Sequence, residues 1–452
     1  MKIRTALLLI PVLLALCAGT VAAKTAPPKS GVDPTFGRGG TIAVATPKGS
    51  VARPLQLATA PSNKSYVLVG PRLLAFGANG RPDHGFGHNG RIQVAAAAGK
   101  TGVVTGLAVD AKGRILVSGS VTPTPGVAVK TVPPDPGNPV VFGASSNAFV
   151  IRLLPNGERD PTFGGAGEID VTLTPRTEPA HHAEAPIVRG YRLAIVGGEQ
   201  PILAGTYWYD AIGCFSSGTV GSAFVAPVDP AGASVQNLAP TVWASVPQSQ
   251  VRDLSPMPDG NIAVLSDGVD GCWRGPEAST LSVLTYGSRP APALDPAGPQ
   301  LYLSSLAVDG RGRFLGIASP PTYLAGGTAG QWKLVRLLPD GNYDTSFGSS
   351  GGVPLTKFGG KSEAVVVDAK GRPTVGGGEG KFSLIRYDAN GKVDHTFAKH
   401  SPLKVGFGSG TQATLKAMAI DSKGRILAAG SVTDPALKSG VGVALTRILP
   451  GN

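Results

Sequence analysis

Catalytic signatures are missing from this chain. It holds no HExxH, no P-loop and no kinase phrase, and its GxGxxG-like spacing near Gly406 lacks a strand-to-helix setting. That excludes the enzyme classes those phrases mark. Cysteine is scarce: apart from Cys17 in an N-terminal apolar run there are only Cys214 and Cys272, with no CxxC and no His at ligand spacing. A metal site on them is the poorest reading, and no cofactor is implied. No Lys/Arg run or basic, aromatic-studded stripe occurs, so a nucleic-acid partner is not expected. The run Ala6 to Cys17 contains Pro11 and is short for a bilayer, so no membrane span is expected once it is removed.

What the N-terminus does have is a targeting pattern. Lys2 and Arg4 precede the apolar run, and Val21-Ala22-Ala23 closes it, giving a signal peptide over 1–23 and a linker over 24–30. Leu16 stands where a lipoprotein site wants a small residue. The expected setting is secreted, periplasmic or cell-surface. Export favours a Cys214–Cys272 disulfide, with two unpaired buried thiols as the alternative. Loss of Lys2 and Arg4 takes the formal charge from +12 to +10. A basic exported chain is drawn loosely to anionic envelope polymers or lipid headgroups, less so at high salt.

The 64 Gly and 40 Pro residues recur at turn positions between short apolar runs, as brief strands joined by tight turns require. A phrase of Asp, two variable residues and Phe occurs five times, at Asp33, Asp83, Asp160, Asp344 and Asp394, at intervals of 50, 77, 184 and 50 residues. Such periods signal an array whose neighbouring units complete each other's core. Between Thr101 and Val171 one unit reads GLAVD, a turn, RILVSG, FVIRLL and GEIDV, four strand-like phrases of one antiparallel blade. The second phrase appears seven times, starting at Ser65, Arg114, Pro201, Asn261, Arg313, Arg372 and Arg425, and the third also seven times. The reading is an all-β, seven-bladed β-propeller of four-stranded antiparallel blades over 31–452.

The last unit, TRILPGN to Asn452, stops after its third phrase, while GVDPTFGRGGTIAV from Gly31 is a fourth phrase without the first three. In complete units Arg precedes Asp by eight residues: Arg152 and Asp160, Arg336 and Asp344, Arg386 and Asp394. Counted across the join, Arg447 and Asp33 are also eight apart. The N-terminal strand is therefore expected to complete the last blade and close the ring, removing open sheet edges.

Each repeated residue has a structural reading. Phe36, Phe86, Phe163, Phe347 and Phe397 can fill the gaps between blades, each worth roughly 1.5–3 kcal/mol. The Asp can accept a backbone hydrogen bond in its turn, and the Gly that follows in four of five copies suits a positive φ. One carboxylate per phrase falls short of a calcium loop. The Arg at a fixed offset suggests an ion pair or chain-fixing hydrogen bond within the repeat before it suggests an anion site.

These strings, DGxLDxTFGxxG with an upstream DxxGRILxxG, resemble the delta-60 repeat of exported bacterial proteins, and the phrase order is similar to NHL-type propellers. Units two, five, six and seven match, unit one matches partly, and units three and four, about 172–299, keep the strand rhythm without DxTFG. The resemblance implies a seven-blade fold and a surface or extracellular setting, and no settled activity.

The divergent stretch is where a site would be sought. It holds Tyr207, Trp208, Tyr209 and Asp210, then Trp243, then Trp273 and Arg274 beside Cys272. Exposed aromatics there could form a sugar or peptide platform; extra core stapled by Cys214 and Cys272 is the alternative. His181, His182 and Glu184 form the one His cluster, which in a strand would point to opposite faces. The functional expectation is a non-catalytic, monomeric scaffold that binds an anionic envelope polymer, a glycan or a surface protein. The alternative is a propeller hydrolase, lactonase-like or glycan-cleaving, marked by acidic residues and His converging on the central channel.

Overall fold

In the computed structural model the described residues are 31–47, 55–95, 101–122, 130–135, 138–142, 147–164, 166–171, 187–212, 217–229, 231, 241–242, 250–268, 278–284, 302–319, 331–356, 358, 362–398 and 402–451. They form strands and turns with no helix. Short Val, Ile and Leu runs punctuated by Gly, Asn and Asp fold into seven antiparallel blades, as the repeat predicts.

Blade one comprises Leu55–Thr59, Ser65–Val69, Arg72–Phe76 and Arg91–Gln93. Blade two comprises Thr101–Val109, Ile115–Thr122, Asn147–Leu153 and Glu168–Val171, with an extra hairpin, Lys130–Asp135 and Asn138–Phe142, between its second and third strands. Blade three comprises Ile187–Val196, Gln200–Ile212, Ser217–Pro227 and Thr241–Val242. Blade four shows three strands among the described residues, Gln250–Pro256, Ile262–Gly268 and Ala278–Leu284. Blade five comprises Tyr302–Val308, Phe314–Ser319, Lys333–Leu337 and Gly352–Pro354. Blade six comprises Ser362–Val367, Pro373–Gly377, Phe382–Arg386 and Leu403–Val405.

Blade seven joins the two ends of the chain. Its first three strands are Gln412–Ile420, Ile426–Thr433 and Val441–Leu449, and its outer strand is Thr41–Ala45, with Thr41 opposite Thr446 and Ala45 opposite Gly442. Gly31–Val32 adds a second short pairing, to Leu449 and Ile448. The first strand of each blade packs beside the first strand of the next, from blade one round to seven and back to one.

The apolar core is a set of wedges, one between each pair of neighbouring blades. Strand side chains alternate between two faces, and here both faces meet a neighbour, so strands such as Ser65–Val69 and Phe382–Arg386 are buried along their whole length. The five DxxF phenylalanines each enter one wedge: Phe36 between blades seven and one, Phe86 between one and two, Phe163 between two and three, Phe347 between five and six, Phe397 between six and seven. Between blades four and five Phe314, from the second strand of blade five, supplies the ring instead. Between three and four the wedge is aliphatic, built from Ile202, Val225, Val251 and Val264.

Candidate functional site

Antiparallel blades put the turn between strands one and two, and the loop between strands three and four, on one face of the ring, here the turn face. The connections between strands two and three open on the opposite, loop face.

On the turn face the DxxGR and DxTFG phrases build one charged module per regular blade. In blade five Asp309 Oδ1 accepts the amides of Arg311 at 2.9 Å and Arg313 at 3.1 Å, and its Oδ2 accepts Arg313 Nε at 2.8 Å. Arg313 Nη1 continues to Asp344 at 3.2 Å, and Asp344 binds Arg336 Nε at 2.9 Å. Blade six repeats the chain with Asp368, Arg372, Asp394 and Arg386. The pair from the third strand to the loop also forms in blade two, Arg152 to Asp160 at 2.8 Å, and across the seam of blade seven, Arg447 to Asp33 at 2.8 Å. Each of these guanidiniums lies over the phenylalanine of its own repeat, Phe163, Phe347, Phe397 or Phe36, at 4.4–4.7 Å.

The module also reaches forward. Arg336 Nη1 donates to the Ala389 carbonyl of blade six, Arg386 to Pro450 of blade seven and Arg447 to Ala78 of blade one. Gly37, Gly87 and Gly348, all at positive φ, donate their amides to Asn79, Asn156 and Asn390 of the following blade. A Cβ at Gly80 would stand 2.8 Å from the Phe36 ring, which is why the receiving loop carries glycine there. Every one of these arginines therefore has structural partners, and the module as a whole is neutral.

Burial alone would raise the carboxyl pKa of Asp33, Asp160, Asp344 and Asp394. The hydroxyl and amide of the Thr or Ser two residues on, together with the paired arginine, outweigh it and hold all four below the usual carboxylate range.

Blade one departs from this plan in a balanced way. Ala60 stands in the turn-Asp position, Ala75 in the third-strand Arg position and Lys64 where the others have arginine. Lys64 Nζ meets Asp83 at 2.7 Å, so one cation still answers one anion. Tyr66 fills the space beside Phe86, ring centroids 5.7 Å apart, and burial followed by the Asp83 charge pushes its phenol up to about 12.

The first strands line a central channel of about 630 Å³. All of them except that of blade one carry a β-bulge, and polar residues enter the channel at that level. Glu363 and Lys416, bulged residues of blades six and seven, pair at 3.2 Å. Asp253 accepts the Leu254 amide at 3.0 Å and, across to blade five, the Leu306 amide at 2.9 Å. Burial raises the pKa of Asp253, against the opposing pull of Arg192 and those two amides. Ser305 in turn accepts the Val365 amide of blade six at 3.3 Å. The channel carboxylates thus tie neighbouring blades together and do not converge, and among the described residues no three His, Cys, Asp or Glu gather.

Tyr207, Trp208, Tyr209 and Asp210 lie on the second strand of blade three. That strand and the next run 13 and 11 residues, against 5 and 5 in blade six. Trp208 pairs with Ile187 and Gly221, and from Tyr209 to Ile212 the strand pairs, among the described residues, with the third strand alone. Trp273, Arg274, Cys214, Cys272, Trp243, His181, His182 and Glu184 lie outside the described residues. The channel charges Arg192, Arg252, Asp253, Glu363 and Lys416 escape a search for motifs. A signal does exist: Thr105, Ser304, Glu363 and Lys416 each stand five residues before the turn Asp of their blade, in the middle of an apolar strand.

The family described as "Domain of unknown function (DUF5122) beta-propeller" matches residues 137–163 and 322–347. No curated protein matches the chain. Among solved structures it is similar to a gluconolactonase from Xanthomonas campestris, at 12% identity over 94% of this chain and 99% of that one, TM-score 0.33. It is similar to the β-propeller domain of the Trilobed protease from Pyrococcus furiosus, at 10% identity over 83% and 91%, TM-score 0.39. A third likeness is to the polysaccharide lyase Uly1, at 9% identity over 92% and 93%, TM-score 0.44. At such identities and scores these likenesses bear on no question of activity.

Proposed function

We propose that the chain is an exported, non-catalytic β-propeller of delta-60 type that binds an anionic envelope polymer through its turn face. One observation carries the reading. Arg311, Lys370 and Lys423 occupy the same exposed position in the turns of three successive blades, while the carboxylates of those turns, Asp309, Asp368 and Asp421, are paired with Arg313, Arg372 and Arg425. Three cations thus stand in a crescent on one face, which attracts a flexible polyanion without fixed register. The alternative of a channel hydrolase draws no support from Asp253 and Glu363, whose oxygens are already bonded to neighbouring blades.

The test is co-sedimentation of the mature chain with cell-wall fractions and with polygalacturonate, at low and high salt. Binding is expected to fall steeply with salt and to be largely lost in an Arg311→Gln, Lys370→Gln, Lys423→Gln variant. Wild-type retention by that variant overturns the reading.

A further inference from the structure

What this fold requires, the chain repeats: the turn Asp, the third-strand Arg and the loop Phe recur blade after blade. The bulge of the first strand recurs as well, in blades two to seven, but its occupant does not. Thr105, Tyr191, Arg252, Ser304 with Ser305, Glu363 and Lys416 stand there in turn. A residue needed only to shape the backbone would repeat along with the bulge. Blades four to seven instead bring a guanidinium, a hydroxyl, a carboxylate and an ammonium in succession around one cavity of about 630 Å³, within the range of ligand sites.

These groups are within reach of a ligand and keep hydrogen-bonding capacity. Lys416 and Glu363 are 39% and 20% exposed, and Lys416 holds Oε1 of Glu363 alone, at 3.2 Å, so Oε2 and further ammonium hydrogens face the channel. The Ser304 hydroxyl donates to the Ile317 carbonyl at 3.4 Å, which leaves its lone pairs to accept. Arg252, half-buried in the wall, brings five N–H donors. Carboxylates stand among the cations, Asp253 next to Arg252 and Glu363 against Lys416, so a simple anion meets repulsion along with attraction. A hydroxyl group donates and accepts at once and satisfies both members of such a pair. A compact ring bearing hydroxyls on its circumference matches a ring of alternating donors and acceptors. We infer that the central channel binds one neutral hexose in its pyranose form, with its hydroxyls on Arg252, Ser304, Glu363 and Lys416. This site is separate from the turn-face crescent and does not rest on the polymer reading.

Calorimetric titration of the mature chain with glucose, galactose and mannose tests the channel; acetate, inorganic phosphate and glycine serve as comparisons. At least one hexose is expected to saturate the chain with a Kd of about 1 mM or tighter, and about tenfold or more below that of any comparison. Glu363→Ala and Lys416→Met should each weaken it about tenfold or more with little change in Tm, because a partly exposed ion pair contributes little to stability. Ser304→Phe places a ring in the channel and should abolish binding. The Arg311→Gln, Lys370→Gln, Lys423→Gln variant should bind the hexose as wild type does. No saturation by any of the three sugars, a comparison bound as tightly as the best hexose, or wild-type affinity in both Glu363→Ala and Lys416→Met overturns the assignment. Loss of the hexose in the turn-face variant does so too, by moving the site to the crescent.

Discussion

Arg447 and Asp33, 414 positions apart in the chain, form a buried ion pair at 2.8 Å and close the ring. Around it Phe36 enters the wedge with blade one, and the Thr446 hydroxyl donates to the Gly40 carbonyl at 2.8 Å. Asp33→Ala leaves a guanidinium buried without its counter-charge, and breaking such a pair costs about 3–5 kcal/mol. Urea unfolding should show a midpoint lowered accordingly. An unchanged midpoint would mean that the closure contributes nothing to stability.

The depressed carboxyls of Asp33, Asp160, Asp344 and Asp394 fix a sign for pH dependence. Their folded pKa values lie below the unfolded value of about 3.9, so their stabilisation is complete above that value and is lost as pH falls through the folded ones. Asp253, whose pKa is raised, has the opposite sign and gains stability on protonation, offsetting part of the loss. Melting temperature should be level from pH 7 to about 5 and fall below about pH 4. A steady fall beginning near neutrality would contradict this assignment.

In blade one the Asp83 charge helps hold the Tyr66 phenol at about 12, second to burial. Asp83→Asn should therefore move the phenol midpoint down while leaving it above the ordinary value of about 10. Ultraviolet titration of the variant against wild type reads the difference; no movement would separate Tyr66 from Asp83 electrostatically.

Phe163 is fully buried between blades two and three and lies 4.5 Å beneath the Arg152 guanidinium. Phe163→Ala should cost about 3–5 kcal/mol in chemical denaturation. A loss under about 1 kcal/mol would show that the wedge collapses around the gap.

The strands that lead to Cys214 end at Ile212 and Ser217, and those that lead to Cys272 end at Gly268 and Ala278. Both pairs of ends open on the loop face of adjacent blades, and we propose a Cys214–Cys272 disulfide on that ground. Mass spectrometry of digests with and without reductant decides the matter. Alkylation of both thiols before reduction would dismiss the bridge.

The blades were legible in the sequence because turn, strand and strand recur in order even in units three and four, where DxTFG is missing. The closure was legible through a single count, eight residues from Arg447 to Asp33 across the ends. Other features rest on contacts that no local pattern announces. Lys64 answers Asp83 from 19 residues away, with no counterpart spacing elsewhere. The stacking of Arg152 on Phe163 depends on how the loop folds back over the third strand. The hairpin Lys130–Asp135 with Asn138–Phe142 carries Pro133, Pro134 and Pro139, residues that strand patterns disfavour, and the four-phrase repeat has no place for it.

The forward-reaching bonds give this circle a direction. Blades five and seven each hand a ring, an amide and a guanidinium to the blade that follows, and blade six a ring and a guanidinium, so the arc from blade five round to blade one is cross-tied seam by seam. That arc should open last, after the aliphatic seam between blades three and four, and deuterium uptake recorded blade by blade would show the order.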